Sequence, residues 1–448
     1  MTLPPFEKRT LAYFAIFYRA LNLLLVQTWF VPDEYWQTLE PAHRLTFGYG
    51  YLTWEWQEGL RSYSYPCVFA ALYKILYLLG LDTYFFMVPA CCILAFFADQ
   101  RLYALASQLF DQSTACWTML AYYSNWFQFF CASRTLLNTV ESALVIISSS
   151  YLIELTMKLN LAVVMLVTAF AALIDRLCYG HWTFPLWNFV QFNLIKGGSA
   201  LFGSHPWHWY VTCGIPSVFL FHIIVIMAGV WTSKQNRFFF QICALYVLVH
   251  SLIAHKEFRF LLPTVPLLSI YAGYFLARNA FNALTKSKWV FGLLVLPNVL
   301  LALFTGLIHQ RGVMDVTGFL NKQAQTRGVE IWYLMPCHST PFYSHVHAPV
   351  QMRFLTCMPE TLSQRVYIDE SDNFHRDPST WLERELSIAG RRPTHIVIYA
   401  KTASLVANVF RKENYSLIRK FFNTCFPQGD RESTEIEVYE QITSPNRT

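Results

Sequence analysis

Residues 289–309 read WVFGLLVLPNVLLALFTGLIH, with no charged side chain, and the sequence that follows, Gln310-Arg311-Gly312-Val313-Met314-Asp315, opens a tail in which no such run recurs. A helix needs about 20 mostly apolar residues to cross the ~30 Å hydrocarbon core of a bilayer. The stretch therefore predicts a membrane span, and its end divides the chain into a membrane region, residues 1–310, and a tail domain, residues 311–448. Comparable runs lie N-terminal to it at 11–30, 84–109, 114–132, 136–157, 211–231, 238–254 and 260–280, with shorter ones at 66–81 and 161–177. The expected protein is mainly α-helical and polytopic, with about 8–10 transmembrane helices.

Composition agrees. Charged residues make up 14% of the chain, against roughly 25% in soluble domains. Hydrophobic residues make up 54%, and the mean hydropathy is +0.31. An ordinary cytosolic enzyme, a disordered chain and a coiled coil are excluded. The net charge of +6 is spread along the chain, so no nucleic-acid partner is expected. Lys8 and Arg9, Lys234 and Arg237, and Lys286 and Lys288 flank hydrophobic runs and mark cytoplasmic ends by the positive-inside rule. The polar stretches near 31–65 and 178–210, rich in Trp, Tyr and His, then read as luminal loops with amphipathic segments at the membrane interface. The first run carries Arg19 and Asn22 and reads as a retained signal anchor.

The tail reads as a luminal α/β domain, with strands expected at 329–335, 394–400 and 434–442 and a helix near 403–422. Asn414-Tyr415-Ser416 and Asn446-Arg447-Thr448 are glycosylation acceptor patterns. Most of the 11 cysteines lie in apolar runs, but Cys337, Cys357 and Cys425 sit in polar sequence and can pair only in an oxidising compartment. Cys337-His338 with His345 and His347 offers zinc-type ligands, at a spacing that matches none of the usual structural sites. No metal site is expected there. Cys337 and Cys357 are read either as a disulfide or as two free thiols.

Two constellations could carry chemistry. The first is Val31-Pro32-Asp33-Glu34-Tyr35-Trp36-Gln37, followed by Glu40, His43 and Arg44, directly after the first hydrophobic run. A carboxylate partly desolvated at such a boundary becomes a useful base near neutral pH. The alternative is a solvated cap, with Asp33 and Glu34 in a first helical turn. The second is His255-Lys256-Glu257-Phe258-Arg259-Phe260, where Arg can clasp a phosphate bidentately and Lys as a point charge. Its alternative is topogenic charge at a helix end.

Together, Pro32 to Gln37, Phe47-Gly48-Tyr49-Gly50-Tyr51-Leu52-Thr53-Trp54-Glu55-Trp56, Arg61-Ser62-Tyr63-Ser64-Tyr65-Pro66 and His255 to Pro263 resemble the dolichol-phosphate-mannose-dependent mannosyltransferases of the class C glycosyltransferase fold. Arg134-Thr135-Leu136 with Asn138 and Glu141, and Asp175-Arg176 with Tyr179-Gly180 and Trp182, are similar too. Tyr51 to Trp56 and Met335 to Pro341 are most similar to the branch acting on the GPI precursor glycolipid. In one respect the chain departs from the family: the interval between residue 157 and Asp175 is short and has no Arg-Pro pair.

The resemblance implies a multi-pass enzyme of the endoplasmic reticulum membrane. It would pass the third, α-1,2-linked mannose from dolichol-phosphate-mannose to the GPI precursor, with inversion and with no metal or other cofactor. Asp33 is implied as the catalytic base with Glu34 as second choice, His255, Lys256 and Arg259 as ligands of the donor phosphate, and Gln37, Trp54, Glu55, Arg61 and Tyr63 as substrate contacts. The alternatives are a sister enzyme of N-glycan precursor assembly, a shortened non-catalytic form, and a transporter, which would be expected to show repeat symmetry or broken helices.

Overall fold

The computed structural model describes residues 8–81, 88–154, 158–234, 236–286, 288–357, 369–388 and 392–442; the acceptor pattern at 446–448 lies outside them. The chain forms two compact units, one of Met1–Val26, Gly59–Tyr65 and Phe85–Gly306, the other of Gln27–Glu58, Pro66–Tyr84 and Leu307–Thr448. The tail is thus grouped with the segment that carries the acidic motif.

The first unit is helical. Its expected runs appear as Lys8–Leu25, Val88–Leu109, Leu137–Glu154, Lys158–Tyr179, Phe238–Leu252, Thr264–Lys286 and Lys288–Leu307. By length and composition, Ala90–Leu109 and Gly292–Thr326 are each sufficient to cross a membrane among the described residues. Two expected runs are broken rather than continuous. The run at 114–132 forms Gln112–Ser124 and Trp126–Cys131. Between them Asn125 accepts a bond from the Gln128 amide (2.9 Å) and donates to the Val218 carbonyl (2.9 Å), while Asn298 Oδ1 takes the Trp126 amide (3.0 Å). A helix can break inside a bilayer only when other helices satisfy the freed backbone groups in this way. The run at 211–231 is a π turn, Tyr210–Gly214, continuing as Ile215–Phe219, then a bend of 104° into His222–Thr232. Leu220, at φ 46°, lies outside helical space at that bend.

Close packing uses small residues and a buried ion pair. A Cβ at Gly229 would overlap the Tyr271 carbonyl, and one at Gly273 would overlap Thr118, so these glycines let the helices approach at backbone contact. Arg19 grips Asp99 bidentately (2.9 and 2.5 Å) and donates to Asn22 Oδ1 (3.0 Å). Asn22 in turn donates to the Phe129 carbonyl (2.9 Å). Arg19 and Asp99 are almost wholly buried, and a charge in that position persists only when paired.

The second unit holds a five-stranded sheet of order β2-β1-β3-β5-β4, with β1 Glu330–Leu334, β2 Gln351–Phe354, β3 His395–Tyr399, β4 Tyr415–Phe422 and β5 Glu435–Gln441. β1 pairs in parallel with β2 and β3, and β5 pairs antiparallel with β3 and β4. Trp332, Leu334, Ile396 and Ile398 pack with Phe374, Trp381, Leu382, Val406 and Phe410 of the covering helices to form its core. The helix expected over 403–422 is Ala400–Lys412 only. Asn414 turns at φ 58°, a left-handed conformation that ends helices and that Asn tolerates, and the next eight residues pair with β5 as β4. β2 carries too few residues to announce itself in the sequence.

Candidate active site

Pro32, Asp33 and Glu34 make one turn after the first hydrophobic helix, with the Tyr35 and Trp36 amides both donating to the Pro32 carbonyl (3.0 Å each). The turn widens into a π helix, Tyr35–Leu39, before the α-helix Glu40–Phe47; single π turns of this kind recur at functional sites. Glu34 is 2% exposed and makes no capping bond, so it is not the solvated cap that short-range pattern allows. Asp33 is half-buried, and its charge acts on His338. Burial holds the His338 imidazole neutral down to about 4 despite that carboxylate.

The rest of the motif is built on the tail. Trp36 donates its indole N–H to the Thr340 carbonyl (3.0 Å) and meets His338 edge to face at 4.7 Å. Trp56 donates to the Trp36 carbonyl (3.3 Å), and Gln37 Nε2 reaches Glu55 Oε2 at 3.5 Å. Trp54 is buried at the start of the short Trp54–Gln57 helix. Glu40, whose role sequence alone did not single out, is fully buried. Its Oε1 accepts the amides of Phe342 (2.9 Å) and Ser344 (3.1 Å) and the Ser344 hydroxyl (2.6 Å). Burial outweighs these bonds and raises its carboxyl from the ordinary 4.5 to about 7. His43 Nε2 meets His347 Nδ1 at 3.1 Å. These residues fasten Trp36 and Glu40 to segment 336–347. The available signal is that Glu40 and His43 are three residues apart, one turn of the helix Glu40–Phe47.

Cys337 and Cys357 form a disulfide. Ligand atoms of Cys337, His338 and Cys357 lie within 4.8 Å of one another, but zinc needs thiolates, and the bond occupies both sulfurs.

The remaining predicted residues belong to the first unit. Asp175 Oδ1 accepts the Tyr63 amide (2.7 Å) and the Ser62 hydroxyl (3.1 Å), and the Tyr179 hydroxyl donates to the Arg61 carbonyl (2.7 Å). The Arg61 guanidinium lies over Phe189. Asp175 and Tyr179 therefore shape the turn that presents Arg61 and Tyr63. At the other constellation Glu257 Oε1 bonds His255 Nε2 (2.8 Å) and Arg259 Nη2 (2.5 Å). Burial would raise the Glu257 carboxyl, but Arg259 and His255 outweigh it and hold it at about 2, so Glu257 stays ionised across physiological pH. Lys256 is directed inward, donating to the carbonyls of His205 (3.0 Å) and Ile253 (2.6 Å). It ties the 205 loop to the end of helix Phe238–Leu252.

A helical membrane scaffold of this kind is shared with a solved glycosyltransferase-fold protein, ArnT from Cupriavidus metallidurans bound to undecaprenyl phosphate, at a TM-score of 0.56 and 12% identity over 97% of this chain and 98% of that one. The chain shares this membrane glycosyltransferase fold. It belongs to the Alg9-like mannosyltransferase family, which matches over residues 10–173 and 152–347. It is 37% identical to GPI alpha-1,2-mannosyltransferase 3 of Xenopus laevis, covering 97% of this chain and 91% of that protein. It is also 37% identical to the human protein of the same description, covering 97% and 87%. These alignments run over 488 and 489 positions, more than the 448 residues here, so the relatives carry residues with no counterpart in this chain.

Proposed function

We propose that this chain transfers the third, α-1,2-linked mannose from dolichol-phosphate-mannose to the GPI anchor precursor at the luminal face of the endoplasmic reticulum membrane. The observation that carries the reading is its alignment, over nearly its whole length, with GPI alpha-1,2-mannosyltransferase 3 proteins. A neighbour in fold that binds a polyprenyl phosphate supports a lipid-linked donor, and the Cys337–Cys357 disulfide suits an oxidising lumen for residues 311–448.

In this reading the acceptor hydroxyl gives its proton to Asp33 as its oxygen attacks the anomeric carbon. The bond from that carbon to the phosphate oxygen breaks, and its electron pair leaves with dolichyl phosphate. The anomeric centre inverts. Asp33 is favoured over Glu34 because Glu34 is sealed from solvent, and a base must reach the proton it removes. Arg259 and His255, set by Glu257, are assigned the stabilisation of the leaving phosphate, with Lys256 adding charge while it holds the turn. Gln37, Trp54, Glu55, Arg61 and Tyr63 contact the sugars.

The test is transfer by the purified full chain from dolichol-phosphate-mannose to a GPI precursor bearing two mannoses, beside an N-glycan precursor as competing acceptor. Asp33→Asn should lower the rate by about 10²–10⁴-fold. Transfer to the N-glycan precursor alone refutes the acceptor, and an active Asp33→Asn with a dead Glu34→Gln refutes the base.

A further inference from the structure

The apolar helix Val88–Leu109 carries three consecutive polar residues, Asp99, Gln100 and Arg101. Asp99 is accounted for by Arg19. Gln100 and Arg101 instead line a groove of about 670 Å³, within the size range of small-molecule sites. Its apolar wall includes Leu11, Phe97 and Ile147, and its polar side runs from Arg101 through Gln108 to Gln112, toward the end of the helix. Phe97 is 56% exposed, so the groove opens on the face that meets lipid chains rather than into the bundle.

Two features prepare this groove for an anion with a hydrocarbon tail. The Arg101 guanidinium is held over the Tyr151 ring, 4.3 Å from its centroid, and donates to the Tyr151 hydroxyl. The Gln100 Nε2 group is buried and has no acceptor among the described residues, a donor that a phosphate oxygen would satisfy. Residue 101 lies about 12 Å along the axis from Leu109, at 1.5 Å per residue, so a headgroup entering along the polar side can meet a guanidinium reaching toward the surface.

The location separates this groove from the proposed donor site. Leu11 lies just after Lys8 and Arg9, and Asn236 Nδ2 bonds the Leu109 carbonyl (2.8 Å). Helix Phe238–Leu252 then runs from Asn236 to the His255–Arg259 turn, so the groove is at the opposite end of that helix. By the positive-inside rule it faces the cytoplasmic leaflet, where anionic lipids concentrate.

We propose that the groove between helices Lys8–Leu25, Val88–Leu109 and Leu137–Glu154 is a binding site for an anionic phospholipid of the cytoplasmic leaflet, with Arg101 and Gln100 on its phosphate and the acyl chain along Leu11, Phe97 and Ile147. The reading is independent of which acceptor the enzyme uses.

The test uses the full chain in nanodiscs of phosphatidylcholine alone or of phosphatidylcholine with phosphatidylserine. Retained lipid is quantified by native mass spectrometry after transfer to detergent, and thermal unfolding is followed in parallel, with inorganic phosphate as a third arm. Phosphatidylserine should be retained and should raise the unfolding temperature. Arg101→Gln should lower retention roughly tenfold, the scale of one charge-assisted contact. Gln100→Leu should lower it less, and Ala104→Trp should block the groove with Arg101 intact. If Ala104→Trp fails to fold, Ile147→Trp replaces it. Equal retention of both lipids, unchanged retention in Arg101→Gln, or the same stabilisation by inorganic phosphate alone would overturn the proposal.

Discussion

Replacing Glu40 probes how the acidic motif is fastened to the tail. One carboxylate oxygen accepts three bonds, from two backbone amides and a hydroxyl 302 to 304 residues away. Glu40→Ala leaves all three donors buried without an acceptor, and at about 1–3 kcal/mol for each unsatisfied group partial relaxation still leaves a loss of about 3–5 kcal/mol. Glu40→Gln keeps the acceptor oxygen and removes the ionisation. The wild-type carboxyl protonates at about 7 in the folded protein against an ordinary 4.5, so between these values the folded state binds the extra proton. Its favourable contribution is full below pH 4.5 and is lost as pH rises through 7. At about 1.36 kcal/mol per pH unit the loss is roughly 3 kcal/mol. His338 and His345, held neutral by burial down to about 4 and about 3, have the opposite sign, losing stability as pH falls below 6.5. Both are present in wild type and variant and cancel in the difference. Urea unfolding of the full chain in detergent, read by pulse proteolysis of the tail, should show Glu40→Gln at least as stable as wild type at pH 8, with the gap closing by pH 5. A Glu40→Gln as damaged as Glu40→Ala, by an amount independent of pH, refutes the reasoning.

Removing one partner of the Arg19–Asp99 pair, as in Asp99→Leu, should destabilise the membrane unit by about 3–5 kcal/mol, and Arg19→Met with Asp99→Leu should recover much of it in a thermal melt. Arg259→Lys keeps charge but loses the planar fork, so the KM for the lipid-linked donor should rise while that for the glycan acceptor stays; equal change in both would mean a structural role. Asn414 is exposed in a left-handed turn, so a luminal tail should gain a glycan there, seen as a glycosidase-sensitive mobility shift that Asn414→Gln abolishes. Transfer should survive EDTA, and purified protein should contain no stoichiometric zinc by elemental analysis; activity lost on chelation and restored by one metal would contradict this.

The helical character of the apolar runs and the acidic and basic motifs are legible from sequence, because the length of a hydrophobic run, its charge flanking and short motifs are local properties of the chain. So is the tail's α/β character, since β1 and β3 announce themselves as apolar runs and β5 as an alternation of apolar and acidic residues. Tertiary structure decided what depends on partners far apart in sequence: the break at Asn125 permitted by Val218 and Asn298, the Arg19–Asp99 pair, β4 recruited by the edge of β5, and Glu40 clamped to Phe342 and Ser344. A buried polar group is tolerable only where packing delivers its hydrogen-bond partner. No short-range pattern can reveal whether that partner arrives, which is why the His205 and Ile253 carbonyls that accept from Lys256 are not legible in the sequence.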